Sequence, residues 1–294
     1  MEIGQLFLNA LVLGASYALV ALGFVLVLNA TAAVNFAHGE LVMAGGMLAV
    51  ALSAVLPLNT GLPGLVLLPL VLLAMAGAGL LFSLAAYFPL RRGPPVSVFI
   101  STIAVGIILQ HGIKALMGPA ERVAPPLLAG PRLEFAGLVA SRQALATLVV
   151  AALLIGGTAL LLARTQFGRR LRASAQDPEM ARAIGVRVPV MIAASFALGT
   201  ALAGAAGLLF ANSYFVSPGS GGNLMIKAYI AVTIGGWGSV PGALAGALMI
   251  AFFEVGVAAW LSNPVAEAAL YGALLLTLVL RPQGLFGEPA GRRV

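Results

Sequence analysis

The stretch LFLNALVLGASYALVALGFVLVLNA, residues 6 to 30, contains no charged side chain. A bilayer's hydrocarbon core is about 30 Å thick, and a helix of ~20 apolar residues crosses it. This run exceeds that length and reads as a transmembrane helix. It follows Glu2 without a basic leader or a small-residue cleavage pattern, so a retained first span is expected and not a removable signal peptide.

Further apolar runs cover residues 36–56, 62–90, 96–117, 142–163, 190–211, 241–261 and 264–280, with a shorter one at 224–237. The short run has ~14 residues, which fits a short tilted helix or a re-entrant segment. The fold class is therefore an all-α polytopic membrane protein of eight or nine transmembrane helices, a single domain over residues 1–294. Composition agrees. Of 294 residues, 61% are hydrophobic and 9% charged, against about 25% charged in a soluble domain. The connections are too short for a fused ATPase domain or a large sensor. The 36 glycines lack a collagen period and suit close helix packing. The absence of cysteine excludes disulfides, zinc thiolates and Fe–S clusters, and two histidines with few acids predict no metal centre. The net charge of +7 falls between apolar runs and not in an aqueous patch interleaved with aromatics, so no nucleic-acid partner is expected.

The basic residues set the orientation. Eleven of the fourteen arginines fall in three connections: Arg91 and Arg92; Arg164, Arg169, Arg170, Arg172, Arg182 and Arg187; and Arg281, Arg292 and Arg293. Lys and Arg concentrate on the cytoplasmic side, which places the N-terminus outside and the C-terminus in the cytoplasm. Residues 118–141, with mixed charges, form the longest external loop and a possible docking surface.

Within the cytoplasmic segment 164–189, the run from Asp177 to Gly185 is punctuated as a short helix. Asp177 is a good N-cap, Pro178 fits the first helical position, Glu179 complements the positive helix end, and Gly185 can take a left-handed stop. Met180 and Ile184 are expected to share a face with Ala181. A helix of two turns is not stable alone in water, so a partner subunit or the lipid headgroups must hold it.

Glu179, Ala181 and Gly185 reproduce the spacing E-x-A-x-x-x-G, which resembles the coupling loop of ABC-importer permeases. Three further stretches, Asn35-Phe36-Ala37-His38-Gly39-Glu40, Gly235-Gly236-Trp237-Gly238-Ser239-Val240-Pro241-Gly242 and Arg281-Pro282-Gln283-Gly284-Leu285-Phe286-Gly287, together with Ala175 to Pro178, look like the LivH-type permease subunit of branched-chain amino-acid ABC importers. The resemblance runs over essentially the whole chain; Gly45-Gly46-Met47 departs from a common Gly-Ala-Tyr. It implies a bacterial inner-membrane importer in which a periplasmic solute-binding protein delivers the solute. The other partners are a second permease, a LivM-like paralogue, and two ATPase subunits that use ATP and Mg. The sequence independently lacks a Walker A loop, since neither Lys114 nor Lys227 follows Gly. No cofactor is expected on this chain, and no enzyme activity.

The glycines Gly235, Gly236, Gly238, Gly242 and Gly246 read as close helix packing at a sharp turn, ahead of a phosphate loop. Charged groups inside the bilayer are costly and mark pathways or partners. Glu254 lies within its span and Lys227 at the start of the short one, at depths that would let them pair if the two spans are antiparallel. That pair is either structural or a gate. Asn35, His38 and Glu40 lie near a span entrance, where irregular backbone could face a pathway or His38 could hydrogen-bond at a helix start. Lys114 is expected to snorkel. An ATP-independent secondary transporter or channel is the alternative, lacking any need for a docking helix. An intramembrane hydrolase would require a nucleophile beside a base, and neither His38 nor His111 has that context.

Overall fold

The computed structural model describes residues 2–56, 63–135 and 138–286; Gly287, Arg292 and Arg293 lie outside them. Eight helices among the described residues are long and apolar enough to cross a membrane. They are α1 (Glu2–Thr31), α2 (His38–Val55), α3 (Pro63–Phe82), α4 (Pro95–Met117), α5 (Arg142–Arg164), α8 (Val188–Ser213), α10 (Val240–Trp260) and α11 (Asn263–Leu280). Between them lie α6 (Gln166–Gln176), α7 (Pro178–Ala183) and α9 (Ser220–Gly235). A π-helical turn, Ser83–Tyr87, extends α3, and a small hairpin of β1 (Leu133–Phe135) and β2 (Leu138–Ala140) sits in the 118–141 loop.

The short segment differs in its bounds from the sequence reading. It begins at Ser220, so Lys227 lies in its second turn and not at its start. Its 16 residues measure about 24 Å, less than the hydrocarbon thickness. The segment 164–189 also holds more helix than expected, because α6 precedes α7. It is capped by Thr165, whose hydroxyl accepts from the Gly168 amide at 3.1 Å.

The connections segregate to two sides. Asn29, Tyr87, Arg91, Arg92, Ser174, Pro178, Arg182 and Val188 surround one cavity, which brings the ends of α1 and the π turn beside α6, α7 and α8. At the other side, Arg122 pairs with Val216 across an isolated bridge, the Ala124 amide donates to Ala211, and the Gly64 amide donates to Pro126. The arginine-rich connections at 91–92 and 164–187 therefore share a face, which the charge rule makes cytoplasmic.

Helices α1 and α8 are the buried centre. Their neighbours approach to backbone contact through small residues, the usual driver of helix association in lipid. Gly45 of α2 lies against Gly204 of α8, and Gly46 against Gly207; a Cβ on Gly45 or Gly207 would meet backbone at closer than van der Waals range. Gly23 of α1 meets Gly199 in the same way. Helix α10 runs antiparallel to α1, with Phe7 against Phe252 at one end (ring centroids 5.1 Å apart) and Asn29 Nδ2 donating to the Gly238 carbonyl (2.9 Å) at the other.

Candidate functional site

Three polar constellations stand out against this apolar frame. The first is α7. Asp177 accepts hydrogen bonds from the amides of Glu179 and Met180, both at 2.9 Å, so its carboxylate satisfies two N–H groups that a helix start leaves open. At the other end the Gly185 amide donates to Arg182 (3.0 Å) and the Val186 amide to Ala181 (2.9 Å), the paired bonds of a Schellman stop. Gly185 has φ +85°, a conformation that costs an L side chain energy. The expected common face is corrected here. Ala181 turns inward and is 2% exposed, whereas Met180 and Ile184 are 62% and 70% exposed. With Pro178 at the first position and only six residues, the helix uses its one buried alanine to seat itself and presents its large apolar side chains outward.

The second constellation joins α9, α10 and α1. Lys227 Nζ lies 2.5 Å from Glu254 Oε1. Tyr17, in the middle of the opening 6–30 stretch, completes a ring: its hydroxyl donates to Glu254 Oε2 at 2.9 Å and accepts from Lys227 Nζ at 2.8 Å. The ammonium also lies 5.3 Å from the Tyr17 ring centroid. The ring forms the floor of a cavity of about 800 Å³, lined also by Asn9, Tyr214 and Glu267. Sequence reasoning found Lys227 and Glu254 but not Tyr17, because a lone tyrosine in an apolar helix carries no signal of its own. The one clue was its position about three helical turns inside the apolar run.

The third is the break between α1 and α2. The chain turns at Ala32, with φ 52°, and climbs back without helix through Ala37. His38 therefore does not lie near the span entrance. It is fully buried and its Nε2 donates to the carbonyl of Val20 at 3.0 Å. Val20 is eleven residues from the end of α1, about 16 Å along the axis and close to mid-membrane. Irregular backbone at that depth must be covered. Thr102 Oγ1 accepts from the Phe36 amide (3.2 Å), Asn35 Oδ1 from the Ala37 amide (3.1 Å), and Phe36 stacks edge-on against Phe99 at 4.7 Å.

His38 and Glu40 point to different sides. The His38 ring packs against Gly23 and Phe24 of α1, while Glu40 faces Gly106 of α4 and Gly221 of α9. Three polar atoms of this short segment, Asn35 Nδ2, His38 Nδ1 and Glu40 Oε2, are buried without a hydrogen-bond partner.

The glycine run 235–246 forms the turn between α9 and α10. Gly236 and Gly238 have positive φ (117° and 79°), and the backbones of Gly235 and Gly242, and of Gly246 and Ala231, touch with no room for a Cβ. Ser239 caps α10 by accepting from the Gly242 amide at 3.1 Å. The segment after α11 closes this turn: the amides of Leu285 and Phe286 donate to the carbonyls of Ile234 and Gly235 at 2.8 and 2.9 Å. The structure thus gives the Arg281-to-Phe286 stretch a capping task that its sequence did not reveal.

A polytopic bundle with a helix start broken near mid-membrane and a short exposed helix on its arginine-rich face belongs to the class of solute permeases. Residues 6–279 match the family model described as branched-chain amino acid transport system, permease component, and the chain belongs to this family. It is 33% identical to the high-affinity branched-chain amino acid transport system permease protein BraD of Pseudomonas aeruginosa, over 99% of this chain and 97% of the relative. It is 30% identical to LivH of Escherichia coli K12, a permease protein of the same description, over the same shares. A shorter match, 33% identical over 46% of this chain and 41% of the relative, is to the autoinducer 2 import system permease protein LsrC of Salmonella paratyphi B. The chain is a multi-pass permease subunit.

Proposed function

We propose that this permease forms the translocation pathway of an ATP-driven importer for branched-chain or related small hydrophobic amino acids in the bacterial inner membrane. In this reading a periplasmic solute-binding protein delivers the solute, a LivM-like paralogue supplies the other half of the pathway, and two ATPase subunits bind ATP and Mg. The observation that carries the coupling to a motor is α7. Met180 and Ile184 are displayed on the cytoplasmic side by a helix too short to exist without support, which suits insertion into a groove of a soluble partner.

The packing gives that partner a lever. Helix α7 packs against α6 and α8 with Ala181 buried, and α8 is locked to α2 at Gly45–Gly204 and Gly46–Gly207. Close-packed helices move as bodies and not by local yielding. A displacement imposed on α7 therefore carries α8 and α2, and with them the midplane break at Asn35 to Glu40. That motion supports alternating access.

The test is reconstitution in proteoliposomes of both permeases and both ATPases with the binding protein. Radiolabelled leucine should accumulate only with internal ATP. Substitution of Glu179→Arg should release the ATPases while leaving the membrane subunits assembled; full ATPase retention would refute the docking assignment.

A further inference from the structure

The two carboxylates deep in the bundle have opposite fates. Glu254 has both oxygens engaged and a lysine as counter-ion. Glu40 has no cation near it among the described residues, and its buried Oε2 has no hydrogen-bond partner. An ionised carboxylate at that depth is costly unless it meets an opposite charge or a polar cavity, and none of the described residues supplies that charge to Glu40.

The surroundings give the direction from which that group arrives. Glu40 is half-buried and lies in the seam of α2, α4 and α9. Its carboxylate occupies the space that a side chain at Gly221 would fill, and Gly106 of α4 leaves the other flank open to its stem. Eight residues further along α4 is Lys114, about 12 Å higher. There Gln110, His111 and Lys114 line an outer cavity of about 280 Å³ with Ser217 and Gly219, just before α9. An outer, basic cavity therefore lies along α4 above a lone acid near mid-membrane. On the other side of α9, the Tyr17–Lys227–Glu254 ring is internally neutralised and has no charge to offer.

We infer that Glu40 receives the α-ammonium group of the transported amino acid, at a waypoint in the α2–α4–α9 seam. This rests on the amino-acid importer reading above. An ammonium supplies the missing opposite charge and the hydrogen bonds that Oε2 lacks. The apolar side chain then travels against Ile107 and the other apolar residues of α4, whatever its branching.

The experiment compares the wild-type importer with E40Q, E40D and G221A in the same proteoliposomes, with leucine-loaded binding protein, reading leucine uptake and ATP hydrolysis separately. E40Q keeps the shape and removes the charge. Leucine uptake should fall about tenfold or more, the loss of a charge-assisted bond, while stimulated ATP hydrolysis and co-purification of all subunits stay at wild-type levels. E40D should recover part of the uptake, and G221A, whose methyl displaces the carboxylate, should behave as E40Q does. Wild-type uptake by E40Q overturns the inference. So does loss of the second permease from E40Q, because Glu40 would then be paired with a cation of that subunit. A wild-type complex that hydrolyses ATP but imports no amine-bearing solute removes the importer reading itself, a result seen before any variant is compared.

Discussion

The ammonium of Lys227 on α9 meets the carboxylate of Glu254 on α10 at 2.5 Å, within the apolar part of the bundle. Their side chains are 15% and 19% exposed, toward the cavity of about 800 Å³, and Tyr17 bridges them from α1. Removing one partner leaves the other charge uncompensated, which in a fully buried pair costs about 3–5 kcal/mol; partial access to the cavity lowers that figure here. Glu254→Gln and Lys227→Met should each reduce the yield and thermal stability of the purified complex. The double variant should be more stable than the worse single, since it leaves no orphan charge. A double variant no better than the worse single would show that the contact is not an energetic pair. Tyr17→Phe should cost about 1 kcal/mol, one net hydrogen bond.

The stop at Gly185 makes a sharper prediction about coupling. At φ +85° an alanine costs roughly 1–2 kcal/mol, yet nothing lies within 4 Å of where its Cβ would be. Gly185→Ala should therefore loosen α7 without disturbing the membrane core. Asp177→Ala, which removes both cap bonds, should weaken it by about 1 kcal/mol. Co-purification of the ATPase subunits should drop for both variants while the melting temperature of the permease pair holds. Unchanged ATPase retention would mean that α7 does not need its caps to dock.

Glycines in this bundle divide into two kinds that sequence cannot separate. Gly207 faces the backbone of Val42 with no space for a methyl, whereas Gly77, on α3, has nothing within 4 Å. Gly207→Ala should force α2 away from α8 and sharply reduce folded yield. Gly77→Ala should be neutral or stabilising by about 0.5–1 kcal/mol, because alanine restricts the unfolded chain and favours helix. Fluorescence-detected size-exclusion after heating reads both.

The spans were legible because apolar length alone dictates them. The caps of α7 were legible because Asp177, Pro178 and Gly185 act through local backbone chemistry. What sequence did not disclose depends on which helix lies opposite. Tyr17 acquires its role only when α9 and α10 bring Lys227 and Glu254 to it, 210 and 237 residues away in the chain. His38 was placed too near the surface, since a six-residue non-helical return from Thr31 looks like any loop until Val20 is seen to accept from it. Met180 and Ala181 were expected to share a face, but in a six-residue helix the seat against α6 and α8 decides which side is inside. Helix α6 escaped notice because its amphipathic run of arginines reads as topology before it reads as helix.

The capping of α9 by the chain after α11 gives a last prediction. A helix end leaves its final carbonyls without partners, and at the end of α9 two of them, Ile234 and Gly235, accept from Leu285 and Phe286. Gly284, at φ 75°, turns the chain so that these amides arrive, and its Cα rests against Gly236. Leu285→Pro removes one donor and should expose the Ile234 carbonyl; Gly284→Ala should clash with Gly236 and pull both donors away. In hydrogen exchange, the amides at the end of α9 and in the 236–239 turn should lose protection in both variants, while those of α3 and α5 keep theirs. The Asn29 bond to Gly238 ties that turn to the end of α1. Loosening it should therefore also raise exchange near Asn29, and protection unchanged there would show that the tail holds α9 alone.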